Sequence, residues 1–266
     1  MEAAFFDLDK TVIAKASMIA FGSSFRRAGM ISLPTMIQAA WNGMVFHALG
    51  ADEERMRKFR ESALRITKGW DHDAVSSLVR STLTDVIDPI VYDEAIDLIN
   101  EHRAAGRLVF IVSASPEEIV SPLATHLGAD GAIASRAQLD ANGNYTGEVE
   151  FYAYGPYKAE AIQNIAAQCD IDLARSYAYS DSATDEPMLR CVGNPVAVNP
   201  DRDLARIAAA EGWPVLNFTT RVPLRERVTL PPPRKIATGA AITTAVAAGL
   251  VLGWWIVTRR RTPSPT

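Results

Sequence analysis

Phe5-Phe6-Asp7-Leu8-Asp9-Lys10-Thr11 is the stretch on which the fold turns. An apolar run from Ala3 to Phe6 leads straight into two aspartates one residue apart, and then a threonine. A short apolar run bounded by polar residues predicts a buried strand. In α/β proteins, catalytic groups collect where parallel strands end at their carboxyl side. Two carboxylates this close repel each other unless a cation lies between them. The pair therefore predicts a divalent metal at a strand end, with one carboxylate free for chemistry.

The rest of the chain alternates between strand and helix signals. Leu108–Val112 is a continuous apolar run, the mark of a central strand. Ser115-Pro116 opens the next helix, with proline in the first turn, and that helix stops at Gly128. Gly131–Ser135 reads as a strand. Asp140-Ala141-Asn142-Gly143-Asn144 is a hairpin turn between Gln138-Leu139 and Tyr145–Val149. Helices follow over Asp93–Ala105, Tyr157–Gln168, Asp185–Arg190 and Asp201–Ala210, with strands at Ser176–Ser180, Val196–Asn199 and Val215–Phe218. This alternation implies an α/β fold, a three-layer parallel sheet wrapped on both faces. Residues 14–84 carry helical patterning without strand signals and read as a cap inserted after the first strand. Residues 1–13 and 85–220 make up the core domain.

Further candidates fall at strand ends and helix starts. Ser113-Ala114-Ser115 follows the strand at 108–112 and offers a hydroxyl and free amides to phosphate oxygens. Lys158 lies near a helix N-terminus, after Gly155-Pro156-Tyr157, and Asp181 and Asp185 follow the strand at 176–180.

The set resembles the haloacid dehalogenase superfamily of aspartate-nucleophile phosphatases, with all four motifs in order over residues 3–217. The helical insert resembles the subfamily that includes phosphoserine phosphatase. It is also similar to a small actinobacterial group of inhibition-of-morphological-differentiation-type proteins with a hydrophobic C-terminal tail. The resemblance implies a Rossmann-like fold and a phosphomonoester hydrolase. In it Asp7 would attack phosphorus to form an aspartyl-phosphate, and Asp9 would serve as general acid and base. The cofactor would be Mg²⁺, a hard ion suited to oxygen ligands, held by the Asp7 carboxylate, the Asp9 carbonyl and Asp181. Ser113, the Ala114 amide and Lys158 would bind phosphate. Thr11 would support the first motif, and Asp185 would bind a metal water or orient Lys158. Asp9-Lys10-Thr11 also resembles the Asp-Lys-Thr of cation-pumping ATPases, but Val12 stands where those have glycine.

The substrate is less defined. Phosphoserine enzymes hold the substrate amine with a glutamate some nine residues after the nucleophile, and here that position is Ala16, beside Lys15. The lid arginine that binds the substrate carboxylate corresponds to Arg65. Met18, Phe21, Phe25, Met36, Trp41 and Phe46 belong to an apolar segment running to Leu49, which would serve either as the lid's own packing or as a mouth for a lipid or amphipathic phosphate ester. A phosphoserine phosphatase, a phosphotransferase and a non-catalytic tethered binding protein remain alternatives on the same fold.

Composition narrows the partners. The 266 residues are 48% hydrophobic and 22% charged, with net charge −4, so nothing global points to nucleic acid. Cys169 and Cys191 lack metal spacing and read as reduced thiols, and the four histidines show no ligand spacing. Residues 221–235 form a Pro/Arg linker. Ile236–Thr258 carries no charge and, at about 1.5 Å per residue, would span roughly 34 Å as a helix. It reads as a transmembrane anchor, followed by a basic tail at 259–266. The basic residues before it predict a membrane-anchored protein with its catalytic domain in the cytoplasm.

Overall fold

The computed structural model describes residues 1–32, 64 and 67–220. Seven strands form one sheet: β1 (Ala3–Asp7), β2 (Leu108–Pro116), β3 (Gly131–Leu139), β4 (Tyr145–Phe151), β5 (Tyr177–Ser180), β6 (Asn194–Val198) and β7 (Val215–Leu216). Their order is β4-β3-β2-β1-β5-β6-β7. Every neighbouring pair is parallel except β3–β4, the hairpin at one edge. The first strand in sequence thus lies inside the sheet, between β2 and β5. The connections leave it in opposite directions there, the crevice where α/β sheets bind ligands.

Side-chain alternation along β1 supplies both faces. Phe6 stacks on Tyr179 at 4.4 Å between ring centroids, and Phe5 stacks on Phe110 at 5.4 Å. The Phe6 face is covered by α1 (Ser17–Arg27), α2 (His72–Ile87), α3 (Asp93–Ala104) and α4 (Glu117–His126). The Phe5 face is covered by α5 (Pro156–Cys169), α6 (Glu186–Arg190) and α7 (Arg202–Glu211). His102 of α3 is buried on the Phe6 side. The Arg107 guanidinium approaches its Nδ1 at 3.4 Å and can only donate, so the ring proton is on Nε2, 2.7 Å from the Tyr179 hydroxyl. Burial, reinforced by the Arg107 charge, lowers the His102 pKa to about 4.

Two elements differ from the sequence expectation. The short strands expected at Gly131–Ser135 and Gln138-Leu139 are one strand, β3, which pairs with β2 along its first half and with β4 along its second. Just past the change of partner, between the pairs Arg136–Phe151 and Ala137–Val149, the extra residue lies on β4, at Glu150. β2 runs on to Pro116, which pairs with Ser135, so the proline caps α4 instead of entering its first turn. The residue before a proline is driven to extended backbone, and this prolongs the strand.

The two ends of the insert rest on the sheet. Phe21 and Phe25 of α1 and Val75, Val79 and Leu83 of α2 share one apolar cluster with Phe6, Ile111 and Ile119. The returning chain is stitched to the hairpin by hydrogen bonds from Gly69 N–H to the Tyr145 carbonyl (2.8 Å) and from Tyr145 N–H to the Trp70 carbonyl (3.0 Å).

Beyond β7, the Phe218 amide donates to Asn199 Oδ1 at 2.9 Å, and the amides of Thr219 and Thr220 both donate to Glu94 Oε1 at 2.9 Å. Thr220 therefore lies at the N-terminus of α3, where Asp93 N–H reaches its carbonyl (3.0 Å) and Tyr92 N–H reaches the carbonyl of Val12 (3.0 Å). Arg65, the apolar residues from 33 to 49, the linker at 221–235, the span at 236–258 and the tail at 259–266 lie outside the described residues. Among the described residues, no helix is long and apolar enough to cross a membrane.

Candidate active site

Asp7 ends β1, and the chain then turns sharply. Val12 and Ile13 amides both donate to the Leu8 carbonyl at 3.0 Å, and Lys10 is left-handed (φ +69°). This tight loop keeps Asp7 and Asp9 beside the ends of β2 and β5. Thr11 is buried beneath it, and no described residue partners its hydroxyl.

Lys158 reaches the same point from α5. Gly155 precedes that helix with φ +55° and ψ −126°, a backbone state open chiefly to glycine. The Lys158 side chain, 3% exposed, donates from Nζ to Asp7 Oδ1 at 2.6 Å and to Asp185 Oδ2 at 2.7 Å. The Ser180 hydroxyl also donates to Asp185 Oδ2, at 2.7 Å. The Asp181 carboxylate lies at the end of β5, with Lys10 Nζ 3.9 Å away.

Asp9 is held from two sides. Its Oδ1 accepts from the Ser17 amide at 2.6 Å, and its Oδ2 accepts from the Ser115 hydroxyl at 2.9 Å. The Ser17 hydroxyl donates in turn to Ser115 Oγ at 2.8 Å. Ser113 Oγ accepts from the Ser115 amide at 3.0 Å, and Ser135 Oγ donates to the Ala114 carbonyl at 2.7 Å, which fixes the turn after β2.

The structure thus gathers Asp7, Asp9, Lys158, Asp181 and Asp185 with the Ser113–Ser115 turn at the carboxyl edge of β1, β2 and β5. Ser17, Ser115 and Ser180 join them in supporting positions. Ser17 and Ser180 carry no motif signal of their own. Ser115 could have been found only as the last residue of the Ser-Ala-Ser stretch.

Charge in the site is unbalanced. Burial pushes the Asp7 carboxyl well above its ordinary range, and Asp185, Asp181 and Asp9 add to this while Lys158 opposes it. Burial likewise raises Asp9 against the Ser17 and Ser115 hydrogen bonds, and raises Asp181 to about 7. Burial alone would lower Lys158, but the carboxylates of Asp185 and Asp7 outweigh it and hold the ammonium charged. Acids outnumber the buried cation at this edge, and carboxylate oxygens are the hard donors that Mg²⁺ takes, so the chemistry of the residues fits that ion. Among the described residues, no three acid, imidazole or thiol side chains converge on one point. Asp7 and Asp181, with the Asp9 carbonyl, are the residues that would hold the ion.

Comparison with known proteins agrees with this arrangement. The family of haloacid dehalogenase-like hydrolases matches residues 4–190. The chain is 50% identical over 263 residues to an inhibition of morphological differentiation protein of Streptomyces azureus, covering 97% of this chain and 94% of that one. It is 47% identical over 250 residues to a probable phosphatase of Mycobacterium tuberculosis, covering 94% and 87%. A solved structure of a substrate-bound phosphoserine phosphatase shares the fold, with a TM-score of 0.59 at 22% identity over 85% of this chain and 95% of that one. Motif order, fold and these matches converge: the chain is an enzyme of the haloacid dehalogenase-like hydrolase family.

Proposed function

We propose that the protein is a Mg²⁺-dependent phosphomonoester hydrolase working through an aspartyl-phosphate on Asp7. The observation that carries this reading is the buried Lys158 ammonium bridging Asp7 and Asp185, with a second carboxylate, Asp9, held two residues beyond the nucleophile. Phosphomonoester hydrolysis needs an in-line nucleophile, charge neutralisation and a proton for the leaving alkoxide.

In the first step an Asp7 carboxylate oxygen bonds to phosphorus as the ester P–O bond breaks, and Asp9 gives its proton to the leaving oxygen. In the second, water attacks the same phosphorus while Asp9 takes back a proton. The bond to Asp7 breaks and inorganic phosphate departs. Lys158 offsets charge on the phosphoryl oxygens, and Ser113 Oγ–H with the Ala114 N–H orients them. Asp185, fixed by Ser180, keeps Lys158 aimed at Asp7. When bound, Mg²⁺ supplies the positive charge that lets Asp7 and Asp181 stay ionised beside an anionic substrate.

We place the substrate among lipid or amphipathic phosphate esters, on two sequence features: Ala16 where an amine-binding glutamate would serve phosphoserine, and the uncharged stretch at 236–258 as a membrane tether with the catalytic domain in the cytoplasm. Phosphate release with Mg²⁺ and with chelator, across phosphoserine, lysophosphatidate, phosphatidylglycerophosphate and sugar phosphates, tests both parts. Marked preference for phosphoserine removes the lipid assignment, and activity undiminished by chelator removes the metal. Asp7→Asn is expected to lower turnover by about 10³-fold or more with an unchanged circular dichroism spectrum, since an amide cannot displace phosphate.

A further inference from the structure

Asp201 takes no part in the chemistry of Asp7 and Asp9, yet it grips the loop that carries Asp181. It is the N-cap of α7, where Oδ1 accepts from the amides of Asp203 (3.1 Å) and Leu204 (2.7 Å). Its other oxygen turns away from the helix, and Oδ2 accepts from the Ser182 hydroxyl and the Ala183 amide, both at 3.1 Å. Its own amide donates to the carbonyl of Asp181 at 2.7 Å. One residue thus holds three consecutive positions of the loop, Asp181, Ser182 and Ala183.

Capping accounts for only half of this. A serine satisfies a helix N-terminus as well as an aspartate does, through a single oxygen. The second carboxylate oxygen serves the loop alone. That loop needs support, because no hydrogen bond from a described residue fixes the Asp181 carboxylate, and Lys10 approaches no closer than 3.9 Å. The direction of the Asp181 side chain is therefore set by its backbone, which β5 holds up to Ser180 and Asp201 holds from the Asp181 carbonyl onward. The Asp201 charge also acts on Asp181 and adds to the negative potential of the mouth.

We infer that Asp201 is a positioning residue for the cation site, orienting Asp181 through the loop backbone. The inference rests on the metal-dependent reading of the site, and the test separates the two. Outer partners of metal ligands change affinity by about 10- to 100-fold when lost. The full chain, stripped with chelator, is titrated with Mg²⁺ by calorimetry and by thermal shift, as wild type, Asp201→Ser, Asp201→Asn and Asp181→Asn. Asp201→Ser keeps the helix cap and loses the loop clamp. It is expected to melt with the wild type when metal-free, to bind Mg²⁺ about 10- to 100-fold more weakly, and to exchange the amides of residues 181–185 faster. Asp201→Asn keeps a capping carbonyl but sets an amide against the Ala183 N–H. It is expected to weaken Mg²⁺ in the same direction, and it decides the matter should the serine variant not fold. Wild-type Mg²⁺ affinity in both Asp201 variants overturns the positioning role while leaving the metal reading intact. A wild type that binds no Mg²⁺, like Asp181→Asn, overturns both.

Discussion

At the scale of single residues, the acids of the site differ in how they are held, and the difference has consequences. Asp7 faces an ammonium, whereas Asp9 faces two neutral donors, one of them the Ser115 hydroxyl. Removing one buried hydrogen bond costs about 1–2 kcal/mol, roughly tenfold in rate where it aims a reacting group. Ser115→Ala is therefore expected to slow hydrolysis of an alkyl phosphate by about tenfold. p-Nitrophenyl phosphate, whose leaving group hardly needs a proton, should be little affected, and kcat for the two esters compared side by side checks this. The carboxylates and Lys158 are legible in the sequence because each follows a strand end or starts a helix in a known order. Ser17 is not, because its contact with Asp9 depends on how the chain leaves the first motif for α1, which no local pattern encodes. His102 shows no ligand spacing in the sequence, which leaves surface and packing roles open; in the structure it is buried, with a pH signature. Held neutral, with a pKa of about 4, it binds fewer protons in the folded chain than in the unfolded one between that value and 6.5. The contribution of His102 to stability should accordingly fall as pH drops from about 6.5 to 4, by about 2–3 kcal/mol, while the buried acids of the site act in the opposite direction. The difference in urea midpoint between wild type and His102→Gln, measured across that range, should therefore shift in favour of the variant as pH falls.

At the scale of elements, the sheet is largely readable and its joints are not. Buried parallel strands such as β1 and β2 announce themselves as apolar runs, and Asn142-Gly143 marks the hairpin turn, where Asp140 Oδ1 accepts from the Asn142 and Asn144 amides at 2.8 and 2.9 Å. The continuity of β3 is hidden because its two halves answer to different partners, and the polar Arg136, where the partners change, looks like a strand end. The entry to β6 depends on a close approach that periodicity cannot reveal. Gly193 donates its amide to the Leu173 carbonyl at 2.8 Å, and a Cβ there would overlap the carbonyl of Ala174. Gly193→Ala should cost about 2–3 kcal/mol and lower the melting temperature by roughly 5–10 °C, because the obstacle is backbone. A melting curve superimposable on wild type would show that the loop at 173–175 yields freely.

At the scale of the whole molecule, the described body closes on itself at Thr220, so its integrity should not depend on the last 31 residues of the 266. Deleting residues 236–266 is expected to give a soluble protein that hydrolyses a soluble ester as fast as the full chain. Insolubility or lost helical signal would show that this stretch belongs to the core. The two ends of the described chain lie at opposite poles. Met1 leaves beside Asp170 at the amino edge of the sheet, its ammonium 2.6 Å from that residue's carbonyl, whereas Glu94 ties Thr220 down within two residues of the strap that leads out of the first motif. Anything attached after Thr220 is leashed on the catalytic side. A bead, dye or fusion partner coupled through Met1 would leave the carboxyl edge of the sheet facing outward, whereas the same cargo joined directly after Thr220 would sit on the side of that edge.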